Sequence, residues 1–361
     1  MTPTRMRLAG IALALIGCVL AAGASDQASQ KLTVGAALDQ YAAHPGADVP
    51  RRLAGQGIVD VLETYRDGAN SWIVQGGGDG RLRRQHVAAA FAVELVALTL
   101  DGSNAEYRAG KPLVEWFCQL LKNQPPSEVE RMAMLASLAA IQGAGDSLLL
   151  GIESGSYKRQ GHIDHALARF PQDDRFKLIR IVDRYELRII SIVPLKGHEV
   201  LPEAAHRMPQ EAAKRLNETL ERLLALDGPL VRDEARLRRG VLQFVTGRVT
   251  LALQEFGAAA VTDAPFASYI ANLMLGAIYY AGGDSAAAAA RYSKAMHITP
   301  ATSARLGLAA SLMKMGNTQE AAAIAPPPPA DKRIDDPWRL YGLGMFHELP
   351  GYLEAMRVAL R

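Results

Sequence analysis

Several stretches hold residue types that do chemistry in other proteins. The run Gly76-Gly77-Gly78-Asp79-Gly80 precedes Arg81, Arg83 and Arg84 at the start of an apolar helical pattern. A helix amino terminus beside arginines attracts phosphate or sulfate, because unpaired N–H groups and the helix dipole both favour an anion. A nucleotide loop needs more: a Gly-Lys-Ser/Thr ending, or a strand ahead of the glycines. Neither is present, so the run reads as a surface loop. His162 and His165 flank Asp164 and share a helix face. A metal shell takes three or four ligands, and no His-Glu-x-x-His occurs, so the pair reads as ordinary partly buried histidine. Cys118 follows Trp116 and Phe117 in a packed helical pattern, whereas a reactive thiolate needs exposure and positive charge. Asp173-Asp174 and Asp335-Asp336 stand at turns, where carboxylates cap helices. There is no Gly-x-Ser-x-Gly elbow. These residues predict no catalytic centre, no cofactor and no bound metal.

The elements around them read as helices throughout. Apolar residues recur at helical spacing over Thr33–Ala43, around Leu53–Tyr65, from Leu82 to Leu100 and over Pro112–Lys122. Pro125-Pro126-Ser127 opens the next helix, with Ser127 and Glu130 at capping-box spacing. Ile163–Phe170 and Phe176–Ile190 form a further pair around Pro171, and Tyr352–Leu360 reads as an amphipathic last helix. No stretch alternates in the manner of a strand with hairpin turns. The chain is predicted to be all-α.

A repeat emerges in the second half. Leu275, Gly276, Tyr279, Gly283, Asp284, Ala288, Tyr292, Ala295 and Pro300 stand in a fixed order of small, aromatic and turn-forming types. Stepping back 36 residues from Gly276, Gly283, Ala288, Tyr292 and Ala295 gives Gly240, Gly247, Ala252, Phe256 and Ala259. Stepping forward 33 from Gly283 and Ala288 gives Gly316 and Ala321. This pattern resembles the tetratricopeptide repeat, a helical hairpin with a period of about 34 residues. The resemblance implies hairpins stacked as an α-solenoid that binds other proteins rather than catalysing. It also implies a groove lined by the first helix of each hairpin. On that basis Leu237, Val241 and Phe244 in one repeat, and Leu273, Ala277 and Tyr280 in the next, face inward, with Arg236, Gln243 and Asn272 as polar neighbours. Phe244 and Tyr280 would be the aromatic anchors. Family members that clamp a terminal carboxylate place lysine, asparagine and arginine at such sites; apolar residues here argue against that role.

At the amino end, Arg5 and Arg7 precede the apolar run Leu8–Ala22 and then Ala22-Gly23-Ala24. Basic, then apolar, then small-x-small is the layout of a secretory signal peptide, and the run is short for a membrane span. A competing reading takes Leu15-Ile16-Gly17-Cys18 as a lipobox, with Cys18 acylated; the apolar Val19–Ala22 that follows disfavours it. Either way the mature chain is expected outside the cytoplasm, periplasmic or secreted, or held at the membrane through Cys18. The chain carries 40 basic and 37 acidic side chains, with Arg5 and Arg7 in the leader. So balanced a charge gives no reason to expect nucleic acid as partner.

The expected organisation is therefore a signal peptide over 1–24 and degenerate helical hairpins over 25–190. A linker follows over 191–207, with tetratricopeptide-like repeats over 208–325. A spacer built on Pro326–Pro329 and a capping segment complete the chain over 326–361. The expected function is a non-catalytic scaffold or adaptor in the bacterial cell envelope, holding a partner peptide or helix in the groove. The alternatives are a lipid-anchored envelope assembly factor and an envelope enzyme subunit with a metal near His162 and His165.

Overall fold

The computed structural model describes residues 31–77, 80–100, 104–143, 152–183, 210–229, 231–324 and 336–361. Within them the secondary structure is helical and no strand occurs. No helix among them is long and apolar enough to cross a membrane. The expected leader with Cys18, the linker 191–207 and the prolines 326–329 lie outside the described residues. The chain forms two compact units, one running to Lys122 and including Leu360–Arg361, the other Asn123–Ala359.

The first unit holds α1 (Val34–Ala43), α2 (Asp48–Ala54), α3 (Ile58–Val74), α4 (Gly80–Leu98) and α5 (Asn104–Leu121). Every residue of α4 from Val87 to Val96 is buried. Such a helix has no polar face to give to water and must be surrounded; α1, α2, α3 and α5 all pack on it. Phe91 is its centre, edge-on to Tyr41 and stacked on Tyr65. Both phenols find acceptors inside, Tyr41 on Glu94 and Tyr65 on the Ala88 carbonyl. Thr33 caps α1, its hydroxyl accepting from the Ala36 N–H, so the helix begins one residue later than expected. The single helix expected around Leu53–Tyr65 is instead two, broken where Gly57 takes φ +122°. Pro112 lies inside α5 rather than at its start.

The second unit begins with α6 (Glu128–Gly143), α7 (Ile152–Arg169), α8 (Asp174–Ile181) and α9 (Gln210–Leu224). Three hairpins follow: α10 (Arg232–Val245) with α11 (Val249–Ala259), α12 (Pro265–Ala281) with α13 (Ser285–Ile298), and α14 (Thr302–Lys314) with α15 (Thr318–Ile324). After them come α16 (Pro337–Tyr341), a 3-10 turn at Phe346–Glu348 and α17 (Leu349–Leu360).

The three hairpins close in the same way. Gly247, Gly283 and Gly316 take φ of +76°, +86° and +85°, the left-handed region where a side chain is strained. In each case the next residue's N–H reaches back five residues: Arg248 to the Gln243 carbonyl, Asp284 to Tyr279 and Asn317 to Leu312. This is the Schellman closure, which satisfies carbonyls left unpaired at a helix end. Each helix from α10 to α15 packs on the next, and α12 also touches α10 and α14.

Close approach is set by glycine against an aromatic ring. A Cβ on Gly240 would lie 2.6 Å from the Phe256 ring; on Gly276 and Gly307 it would lie 2.8 Å and 2.4 Å from Tyr292. Tyr292 is thus clamped between two hairpins, and burial, then the nearby Tyr280, pushes its phenol up to about 12. Gly276→Ala should therefore destabilise the chain by about 1–3 kcal/mol through overpacking. Gly257, inside α11 with open space around it, should do the reverse: Gly257→Ala should stabilise by about 0.5–1 kcal/mol through helix propensity. Urea unfolding of the two variants checks the pair, and a shift of the same sign in both would contradict this packing.

Candidate functional site

The second unit is organised around a buried cation. Glu234 and Arg238 are four residues apart on α10, a spacing that lets an ion pair form along one helix face. Arg238 has no exposed surface at all. Taking a guanidinium out of water costs several kcal/mol unless charge and hydrogen bonds replace the solvent. Here Glu234 Oε1 accepts from Nε at 2.7 Å and lies 2.6 Å from Nη2. Nη2 also donates to the Gly344 carbonyl at 3.1 Å, and the guanidinium lies over the Tyr341 ring, 4.8 Å from its centroid. The second Glu234 oxygen faces His347 Nε2 at 3.5 Å. His347 in turn stacks on Phe266 and sets Nδ1 3.2 Å from the Gly344 carbonyl. Burial alone would raise the Glu234 carboxyl; the charges of Arg238 and His347 and hydrogen bonds from both outweigh it and hold the group at about 2.

These contacts seat the carboxy-terminal segment Asp336–His347 on the hairpins. Asp336 caps α16 through the Trp338 N–H. Its carboxylate also accepts from the Tyr269 hydroxyl at 3.2 Å and from the Ser303 N–H at 2.8 Å. Burial, and then the Asp336 charge, raise the Tyr269 phenol well above its ordinary range. Trp338 and Tyr341 stack on each other with ring centroids 5.6 Å apart. Every hairpin partner in these contacts (Glu234, Arg238, Phe266, Tyr269 and Ser303) lies in the first half of α10, α12 or α14. On its other side the segment is pinned to α6: Gln142 Oε1 accepts from the Met345 N–H at 2.8 Å. Gly344, at φ +64°, leaves no room for a Cβ against the Gln142 amide.

This arrangement redraws the expected groove. Leu237 and Val241 are wholly buried, and Phe244 and Leu273 nearly so, within the core cluster that also contains Tyr341. Asn272 is buried, its amide donating to the Ala260 and Ser268 carbonyls. All five are buried in the folded chain, on surfaces that the resemblance assigned to a groove. Arg236, Gln243, Ala277 and Tyr280 remain half-buried. Beside Tyr280 the surface is open: Lys314 sits 4.1 Å from its ring centroid, and Leu306, Ala310 and Met313 form a stripe on α14. Leu306 and Met313 are 44% and 63% exposed.

Arg84 stacks on Trp72, 4.5 Å from the ring centroid, and donates to the Trp72 carbonyl; Gly78 and Asp79 lie outside the described residues. Cys118 is half-buried in α5. His162 and His165 are half-buried on α7, and no group of three or more His, Cys, Asp or Glu able to hold a metal occurs among the described residues. A cleft of about 530 Å³ is lined by Arg131, Arg169, Arg175, Asp173 and Asp174 among others. Its arginines are answered internally: Arg131 by Asp173 and Glu128, Arg169 by Glu130, Arg175 by Asp173. Burial raises Asp173, but hydrogen bonds from Arg131 and the Arg175 backbone outweigh it, so its carboxyl lies below the usual range.

Sequence reasoning passed over Glu234, Arg238, Gly344 and His347. The local signal was the Glu-x-x-x-Arg spacing; the partner carbonyl is 106 residues away, and no local pattern reports it. Removing the guanidinium in Arg238→Met leaves Glu234 buried without its main partner and should cost about 3–5 kcal/mol. Folding holds Glu234 at about 2 against an ordinary value of 4.5. Its contribution is therefore complete above 4.5 and lost as pH falls toward 2. Wild type should exceed Glu234→Gln by ~2 kcal/mol at pH 7, with the gap closing through that window; a gap independent of pH would contradict the ion pair. No family model matches this chain, and no curated protein matches it in sequence.

Proposed function

We propose that the chain is a non-catalytic scaffold for another protein, built of tetratricopeptide-like hairpins stacked as an α-solenoid and exported to the bacterial envelope. The observation that carries this reading is the open part of the first-helix face. Ala277 and Tyr280 on α12, with Leu306, Ala310, Met313 and Lys314 on α14, put apolar side chains in water beside one cation. Scattered exposed apolar residues need no explanation, whereas a stripe at helical spacing next to an aromatic ring is the surface an amphipathic helix or extended peptide covers.

Further support comes from the common closure of the three hairpins and from the contact of α12 with both α10 and α14. Stacked repeats bring their first helices together in this way. Export is supported by Arg5, Arg7, the apolar run and Ala22-Gly23-Ala24. Phe244 is 8% exposed, so its truncation would damage the core and would not report on binding.

Tyr280→Ala with Met313→Glu removes the open surface while leaving the buried face intact. Cross-linked affinity capture from the native organism, followed by rebinding of the purified candidate, is expected to retain an envelope protein on wild type. The double variant should lose it with an unchanged circular dichroism spectrum. Equal retention by both, or background alone on wild type, would contradict the scaffold.

A further inference from the structure

We propose that Arg305 binds a carboxylate supplied by another molecule, at the amino-terminal end of α14. This ligand site stands apart from the open surface around Tyr280 and Met313 and does not depend on the scaffold reading.

A comparison with Arg238 carries it. Arg238 and Arg305 are the two buried arginines among the described residues, the first wholly buried and the second 8% exposed. Each lies in the first half of a hairpin's first helix, α10 or α14. Neither escapes the cost of burial by shedding its proton, because a guanidinium stays charged in proteins. Arg238 is answered by Glu234 four residues before it, by the Gly344 carbonyl and by the Tyr341 ring. Arg305 has Ala301 four residues before it, whose carbonyl accepts from the Arg305 backbone N–H. The Arg305 Nε is buried and meets no acceptor, and no carboxylate among the described residues pairs with the guanidinium. A charged donor left unpaired in the interior is costly, and where one persists it marks a place for a counter-charge.

The counter-charge has a way in. Helical side chains lean toward the helix's amino end, over the turn before their own Cα, and for Arg305 that turn begins at Thr302. Thr302 is exposed, and so is Leu306 beside Arg305. At this end α14 opens on Ala301, which offers no capping side chain, so the positive end of the helix dipole adds to the charge of Arg305. Asp336 reaches the same end, but its oxygens are engaged by the Ser303 N–H, the Tyr269 hydroxyl and the Trp338 N–H. Its charge also selects what can join it: near one carboxylate a monoanion is tolerated better than a phosphate dianion. A carboxylate further matches the guanidinium fork, accepting two parallel hydrogen bonds from Nε and one Nη.

The test uses the full chain, labelled with nitrogen-15 in its arginines, and two probes. Sodium acetate stands for a free acid, and the blocked peptide acetyl-Leu-Asp-Leu-amide for an acidic side chain on a protein. Binding is read from the Arg305 Nε–H resonance, assigned by its loss in Arg305→Met, with chloride at equal ionic strength as the control. At least one probe should move that resonance saturably while chloride leaves it in place, and the probe that binds more tightly names the source of the carboxylate. No movement with either probe, or equal movement in chloride, would overturn the site. Urea unfolding gives a second answer. In chloride, Arg305→Met should raise the midpoint by roughly 0.5 M, opposite in sign to Arg238→Met. A midpoint lowered by Arg305→Met would mean that the chain itself answers this guanidinium, and would likewise overturn the site. Neither experiment touches Tyr280 and Met313, whose capture experiment tests the scaffold separately.

Discussion

A guanidinium with no exposed surface must be answered on every side, and Arg238 imposes that demand on the whole second unit. Its own helix supplies Glu234, but one carboxylate oxygen does not satisfy five N–H groups. The Gly344 carbonyl and the Tyr341 ring come from the far end of the chain. Docking of the carboxy-terminal segment and burial of the cation are therefore one event. Without the segment, Arg238 would open to water; without Arg238, Glu234 would be a buried charge lacking its main partner. Such coupling makes a chain of many small helices behave as a unit.

The hairpins provide the surface on which that event occurs. Glycine at each turn lets the backbone reverse, while Gly240, Gly276 and Gly307 admit the rings of Phe256 and Tyr292. The first helix of the middle hairpin, α12, then lies against both α10 and α14. Near the amino ends of these helices, Asp336–His347 makes the charged and hydrogen-bonded contacts. Near the carboxy ends of α12 and α14, Tyr280, Met313 and Lys314 stay at the surface. On the proposed function, the first helices both hold part of the chain in place and meet another protein.

Features that depend on nearby residues were legible in the sequence. Asp336 caps a helix as its place at a turn predicts, and Gly247, Gly283 and Gly316 each close a helical hairpin. Ser127 makes its capping bond to the Glu130 N–H. The Glu130 side chain, however, leaves the capping box for Arg169, 39 residues away. Gly57 split one expected helix in two, because a backbone at φ +122° cannot continue it. Pro112 was read as a helix start but sits within α5, where it is exposed. The burial of the expected groove residues was less legible. Periodicity identifies which side chains share a helix face, but not what covers that face. Leu237, Val241, Phe244, Leu273 and Asn272 are buried in the folded chain, which their spacing does not report.

The central claim, that Arg238 and the carboxy-terminal segment stabilise each other, is tested most directly by a double-mutant cycle. Arg238→Met and Tyr341→Leu would be made singly and together, and the free energy of urea unfolding measured for each. Residues in direct contact couple by about 0.5–3 kcal/mol, and a desolvated cation over an aromatic ring is worth about 2 kcal/mol. The predicted coupling is at least about 1 kcal/mol in the stabilising direction. Additive losses within about 0.3 kcal/mol would contradict it, and would mean that the segment is held without Arg238.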